Sequence, residues 1–327
     1  MELNEMKKID SENYFSLLEN FPEQIKEAME IGKKIRLEKK EFANIVVQGM
    51  GGSGITGKIL ANLLENELKI PIQTSNGYEI PKFVSEKTLF IAISYSGTTE
   101  ETLTGAKKAK QKKAFILGIS SGKQFKKTCS HFIKIPEGYP PRAATAFLVI
   151  PLIFAFQKLG LIKSKEKEIK EFIALAEKEK TGIKKTALET AKKMFRKTVF
   201  VYSAKSVEVS SLRWMTQINE NSKAFCHANV LPEMNHNEIN MDYSKGIFVF
   251  LKTRNESTQM NKRIEFTKKV FSGKNKTIEL TSKGKSLFCQ LFYLIYSGDF
   301  TSYYLAILNK VNPSPVPVIT KLKKVLK

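Results

Sequence analysis

At 327 residues and 42% hydrophobic content, the chain can fill one large core or two domains of about 150 residues each, which excludes disorder as a description of the whole. Its 54 basic residues against 32 acidic ones give a net charge of +22, a field that attracts polyanions and steers anionic substrates. Only six of the basic residues are arginines and the lysines are scattered over nearly every helical segment, so a solvated surface is expected rather than a specific nucleic-acid interface.

The N-terminal 40 residues show no order of charged, apolar and small residues typical of a leader. Apolar positions such as Ile25 and Met29, or Ile31 and Ile35, recur there at helical spacing and predict one or two lead-in helices. Short β-rich runs follow at 43–47, 70–74, 88–93, 114–118 and 131–135, with helix-compatible segments at 55–68 and 99–110. This is the rhythm of a parallel sheet flanked by helices. The segment 143–159 reads as a helix kinked or interrupted at Pro151 and closes a first domain over residues 41–160. A lysine- and glutamate-rich helical bridge occupies 161–197. A second domain, 198–310, has strands at 198–203, 246–251 and 277–280, helices at 207–218 and 256–271, and a helical stretch at 285–308 broken near Gly298. A tail with prolines and a final helix make up 311–327. The fold class is therefore α/β, with two parallel sheets each flanked by helices. No apolar run reaches the ~20 residues of a membrane-spanning helix, and Cys129, Cys226 and Cys289 form no CxxC pair. A cytoplasmic protein with reduced thiols is expected.

Two loops are suited to phosphate. "QGMGGSGITGK", residues 48–58, joins the first strand to a helix, and its glycines let backbone N–H groups face an anion at the helix start. It fails the Walker test, because Gly57-Lys58 is followed by Ile59. It contains GxGxxG, yet the second strand offers no carboxylate for a ribose. "ISYSGTTEET", residues 93–102, places Ser94, Ser96, Thr98 and Thr99 at the end of the neighbouring strand, short hydroxyls that donate to phosphate without adding bulk. Thr98 or Thr99 alone could equally be a helix cap.

Other candidates have two readings. His227, Glu233, His236 and Glu238 lie near Cys226, residue types that zinc accepts, but their spacing matches neither HxxEH nor HExxH, so a site without metal is expected, with His227 structural or at a pocket rim. His236 could be a hydrogen-bonding cap, or a proton-transfer group whose tautomer Asn235, Asn237 and Glu238 fix. Arg142 begins an apolar helix, where the helix dipole disfavours it; it either pairs with Glu137 or another carboxylate, or awaits an anion. A glutamate such as Glu220, within "NEN", ordinarily stays in an exposed loop. The aromatic stretch from Phe292 to Tyr304 suits a core or a subunit interface.

"QGMGGSG", "ISYSGTTEET" and "GYPPRAA" (138–144) resemble the glycine loop, phosphate loop and arginine motif of sugar isomerase domains. With "NENSKAF" (219–225), "LPEMNHNEI" (231–239), "GDFTSYYLA" (298–306) and the terminal "LKK" (322–324), the order resembles the bifunctional phosphoglucose/phosphomannose isomerase family from residue 43 to the end. The resemblance implies two sugar isomerase domains, no cofactor, sugar 6-phosphate substrates, and a homodimer whose active sites share residues. It implies that Gly52, Ser53, Ser94, Ser96 and Thr99 surround the substrate phosphate. Glu220 would shuttle a proton between C1 and C2, His236 would assist ring opening in its own or the partner's site, Arg142 would stabilise the enediol, and Lys323 would lie beside the sugar, with Lys321 or Lys324 as alternatives. Gly97-Thr98 stands where the family pattern often has Gly-Asn. A non-catalytic sugar-phosphate sensor built on the same domains is the other reading.

Overall fold

The computed structural model describes residues 3–326. Two compact units emerge: one is Asn20–Ile173, the other runs from Ala174 onward together with the segment ending at Glu19. The expected one or two lead-in helices are three, α1 (Leu3–Ile9), α2 (Tyr14–Glu19) and α3 (Phe21–Lys33). The Asp10 carboxylate accepts the amides of Tyr14 (2.7 Å) and Phe15 (2.9 Å), starting α2 afresh. Pro22 in the first turn of α3 does the same there.

In the first unit, β1 (Asn44–Gly49), α4 (Gly51–Leu64), β2 (Ile72–Ser75), β3 (Thr88–Ile93), α5 (Glu100–Gln111), β4 (Phe115–Ser120) and β5 (His131–Lys134) follow in chain order. All pairings are parallel and the strand order is β2-β1-β3-β4-β5. β3 is buried throughout, as a strand covered on both faces must be, which is why it reads after Thr88 as the unbroken apolar run 89–93. Of the kink or interruption expected at Pro151, the interruption is absent: α6 (Thr145–Lys158) continues through it. Every residue from Thr145 to Phe156 is buried, and that packing outweighs the hydrogen bond the proline removes. Part of it comes from α3, where a β-carbon on Gly32 would sit 2.6 Å from the Phe154 ring, so only glycine admits this approach.

The helix α7 (Glu166–Met194) carries the chain into the second unit. There β6 (Thr198–Ala204), α8 (Glu208–Asn221), β7 (Cys226–Leu231), β8 (Gly246–Lys252), α9 (Thr258–Ser272), β9 (Lys276–Thr281), α10 (Leu287–Leu308) and α11 (Pro317–Val325) build a parallel sheet of order β7-β6-β8-β9 with its helices. β7 was not anticipated. It is an edge strand, half-buried between its buried ends Cys226 and Leu231, that carries His227 and Asn229, with neither strict alternation nor a fully apolar run to announce it.

The expected break at Gly298 is also absent, since α10 is continuous and almost wholly buried. Glycine there serves packing: a β-carbon would meet the Trp214 indole at 2.2 Å, and that indole donates its Nε1 hydrogen to the Leu294 carbonyl at 2.8 Å. Surface lysines meanwhile pair along helix faces, as in Lys26–Glu23, Lys33–Glu30 and Lys268–Glu265. Solvent screens such surface pairs, so they add little to stability.

An alanine in mid-helix ordinarily gains about 1 kcal/mol over glycine. Gly298→Ala is expected to reverse that sign, because displacing the indole costs about 1–3 kcal/mol. Urea unfolding should give a net loss of up to about 2 kcal/mol, whereas a stabilised variant would show that Trp214 moves freely.

Candidate active site

Gly49 at the end of β1 pairs with Ile93 at the end of β3, so the two following loops leave the sheet level with one another. The chain turns one way from β1 to β2 and the other way from β3 to β4, which makes the gap between β1 and β3 the topological switch point. Both predicted phosphate loops border that gap, and each opens a helix, α4 or α5, whose first amides lack intrahelical partners.

The hydroxyls are held by hydrogen bonds within the two loops. Ser53, buried in the first turn of α4, accepts the Tyr95 amide on Oγ at 3.1 Å, which leaves its proton to donate. Ser94 is fully buried; its Oγ accepts the amides of Gly97 (3.1 Å) and Thr99 (3.3 Å) and donates to Thr99 Oγ1 at 2.9 Å. Thr99 holds the N-cap position of α5, yet its side chain caps no amide; its Oγ1 receives the Ser94 proton and keeps its own for a ligand. The exposed Ser96 and Thr98 hydroxyls lie 2.9 Å apart. Gly97, at φ +76°, makes the turn that a side chain would strain.

The arginine loop reaches the same edge. Arg142 lies in a 3-10 turn, Pro141–Ala143, and is 3% exposed. Its backbone packs on Gly52, where a β-carbon would come within 2.9 Å of the Arg142 nitrogen. Glu137 pairs with Lys134 and not with Arg142. Tyr95, between the two phosphate-loop serines, was not singled out in the sequence. Its carbonyl accepts the hydroxyls of Ser120 (3.1 Å) and Ser121 (2.6 Å), and its phenol donates to the Pro136 carbonyl (3.1 Å) while accepting the Tyr139 amide (2.8 Å). Burial pushes that phenol above the ordinary tyrosine range, so it remains a donor at neutral pH.

In the second unit, Glu220 occupies the last turn of α8 and is half-buried, not placed in an exposed loop. Its helix is clamped to α10 by the buried Arg213–Asp299 pair, Nε to Oδ1 and Nη2 to Oδ2 both at 3.1 Å, and by Asn221 Nδ2 donating to Ser302 Oγ at 3.0 Å. Asp299 and Ser302 belong to the "GDFTSYYLA" stretch, whose polar positions pass unnoticed among its aromatics. Lys223 donates to the Glu220 carbonyl (2.6 Å) and the Pro315 carbonyl (2.9 Å), tying the approach to α11 to the end of α8. Lys323 is exposed on α11, as are Lys321 and Lys324.

His236 is exposed at the end of a 3-10 turn, Glu233–His236, that follows β7. Its expected helpers serve elsewhere: Asn235 donates to Thr267 Oγ1 (2.8 Å) and Asn237 accepts the Glu238 amide. Glu238 faces His227, whose Nε2 is 3.0 Å away, and receives further hydrogen bonds from Tyr202 (2.8 Å) and Asn229. Although burial opposes its charge, those hydrogen bonds hold the Glu238 carboxyl below the usual carboxylate range. His227 thereby ties β7 to the 3-10 turn Glu238–Asn240 that follows His236. Among the described residues no group of three or more His, Cys, Asp or Glu side chains is gathered to hold a metal ion.

Glu220 and His236 lie on opposite sides of β7 in the chain. Glu220 precedes β7 and His236 follows it, and six residues of strand separate the two ends by about 20 Å.

Comparison with known proteins agrees with this architecture. Residues 37–155 match the model of the SIS domain, and residues 183–326 match that of the bacterial phospho-glucose isomerase C-terminal SIS domain. The chain is 34% identical over 306 residues to the bifunctional phosphoglucose/phosphomannose isomerase of Thermoplasma volcanium, covering 91% of this chain and 97% of that one. It is 37% identical over 333 residues to the protein of the same name from Caldicellulosiruptor bescii, covering 95% and 98%. Its fold is similar to that of the C-terminal domain of glucosamine-fructose-6-phosphate aminotransferase from Francisella tularensis, with a TM-score of 0.74, 16% identity, and 92% and 97% of the two chains covered. The chain belongs to the bifunctional phosphoglucose/phosphomannose isomerase family.

Proposed function

We propose that this protein is an aldose–ketose isomerase that interconverts glucose 6-phosphate, and mannose 6-phosphate at the same site, with fructose 6-phosphate through a cis-enediol. The observation that carries this reading is the cradle at the β1/β3 switch point, where prearranged hydroxyls and two helix starts suit a phosphate monoester and Arg142 is seated on Gly52 beside them. Ser53, Ser96 and Thr99 donate to the phosphate, Gly52 admits it to the backbone amides, and Ser94 orients Thr99 from behind. His236 assists ring opening. Glu220 removes the C2 proton and returns it at C1, while Arg142 stabilises the negative charge that builds on the enediol oxygens. Lys323 lies beside the sugar. These steps need no cofactor. Mannose and glucose 6-phosphates differ at C2 and yield the same enediol, and use of both requires the C2 proton of each epimer to come within reach of Glu220.

The placement of Glu220 and His236 at opposite ends of β7 supports a homodimer in which His236 acts in the partner's site. No helix among the described residues is long and apolar enough to cross a membrane, and the three cysteines are free; both suit the cytoplasm.

A coupled assay with each aldose phosphate tests the reading. Fructose 6-phosphate is expected from both, and Glu220→Gln should lower kcat about 100-fold or more with substrate binding retained. Tight binding without turnover by the unaltered protein would favour a sensor, and full activity of the variant would mean that another group is the base.

Sharing of residues has its own test. Glu220→Gln and His236→Ala chains, each inactive alone, should regain about a quarter of normal specific activity when unfolded and refolded together, since half the dimers are mixed and each mixed dimer holds one intact site. No recovery would place both residues in a single chain's site.

A further inference from the structure

Tyr95 joins all four loops that matter at the carboxyl edge of the first sheet. Its amide is bound by Ser53 of the loop after β1, and its flanking residues Ser94 and Ser96 belong to the loop after β3. Its carbonyl is held by Ser120 and Ser121 at the end of β4. Its phenol bridges the Pro136 carbonyl and the Tyr139 amide in the segment after β5. From Tyr139 the chain passes through Pro140 and Pro141, whose fixed φ leaves little slack, directly into Arg142. Arg142 is thereby pinned from two sides, by the Tyr95 phenol through the diproline and by backbone contact with Gly52.

We infer that Tyr95 is a positioning residue that couples the phosphate cradle to Arg142, so that the order of the loop holding the substrate phosphate sets the placement of the guanidinium. The inference rests on the proposed role of Arg142. Its physical content is asymmetric. The backbone groups of Tyr95 build the cradle, whereas the hydroxyl alone reaches the arginine segment. Removing only that oxygen leaves the Ser53, Ser120 and Ser121 hydrogen bonds intact and frees the Pro136 carbonyl and the Tyr139 amide.

Tyr95→Phe makes that change while keeping the ring in place, so the variant retains its fold by circular dichroism. Misplacement of a charge-stabilising group by a fraction of an ångström costs roughly ten- to a hundredfold in rate. The expected result is a kcat lower by at least about tenfold, with inhibition by inorganic phosphate changed less than about twofold. A five-carbon aldonate phosphate, whose planar carboxylate imitates the enediolate, should bind at least about tenfold more weakly than to the unaltered protein. Unchanged kcat, or parallel loss of phosphate affinity and kcat, would overturn the coupling, the second outcome showing that the phenol only supports the cradle. Arg142→Lys, assayed alongside, separates the two levels. Full activity of that variant would refute the arginine's role itself, whereas its collapse together with an unaffected Tyr95→Phe would refute the coupling alone.

Discussion

A β-carbon on Gly52 would lie 2.8 Å from the Pro141 carbonyl carbon and 2.9 Å from the Arg142 nitrogen, distances at which backbone cannot yield as a flexible side chain could. The arrangement of the carboxyl edge follows from this missing atom. Because the first turn of α4 is bare at Gly52, the segment after β5 can close onto it, and the arginine of a distant loop arrives beside hydroxyls supplied from β1 and β3. The glycine loop therefore has two duties. Its amides face the crevice, and its surface receives another loop. A nucleotide loop would use the same glycines for approach to pyrophosphate; here part of that freedom is occupied by the protein's own backbone.

Much of the first unit was readable in the sequence because buried parallel strands have to be apolar runs, and the stretches ending at Gly49 and Ile93 are such runs followed by unmistakable glycine punctuation. The errors share a cause. Pro151 and Gly298 are helix breakers by local preference, but they sit in α6 and α10, helices buried on nearly every side. Tertiary packing there outweighs a cost of about 1–3 kcal/mol. β7 escaped detection because an edge strand whose residues are half-buried has neither periodic signature. The start of α2 at Tyr14 depends on a carboxylate, Asp10, whose capping bonds reach four and five residues ahead.

At the candidate site the residue types could be named in advance, while their division of labour could not. Sequence order cannot distinguish Ser94, whose oxygen is consumed in holding the loop, from Thr99, which that oxygen orients. Nor could it tell that Glu238 would turn from His236 to His227, since the pairing depends on Tyr202 and Asn229 lying within reach across β6 and β7. Arg213 and Asp299 went unnoticed for a similar reason. Eighty-six residues apart, they meet only after α8 and α10 pack. A buried bidentate pair of this kind fixes the direction of α8, and with it the place where Glu220 emerges.

The measurement closest to the centre of the account is a crystal structure of the protein with a five-carbon aldonate phosphate. The account predicts the phosphate within hydrogen-bonding distance of Ser53, Ser96 and Thr99 at the starts of α4 and α5, with the carboxylate beside Arg142. A phosphate bound away from that cradle, or a carboxylate distant from Arg142, would contradict it.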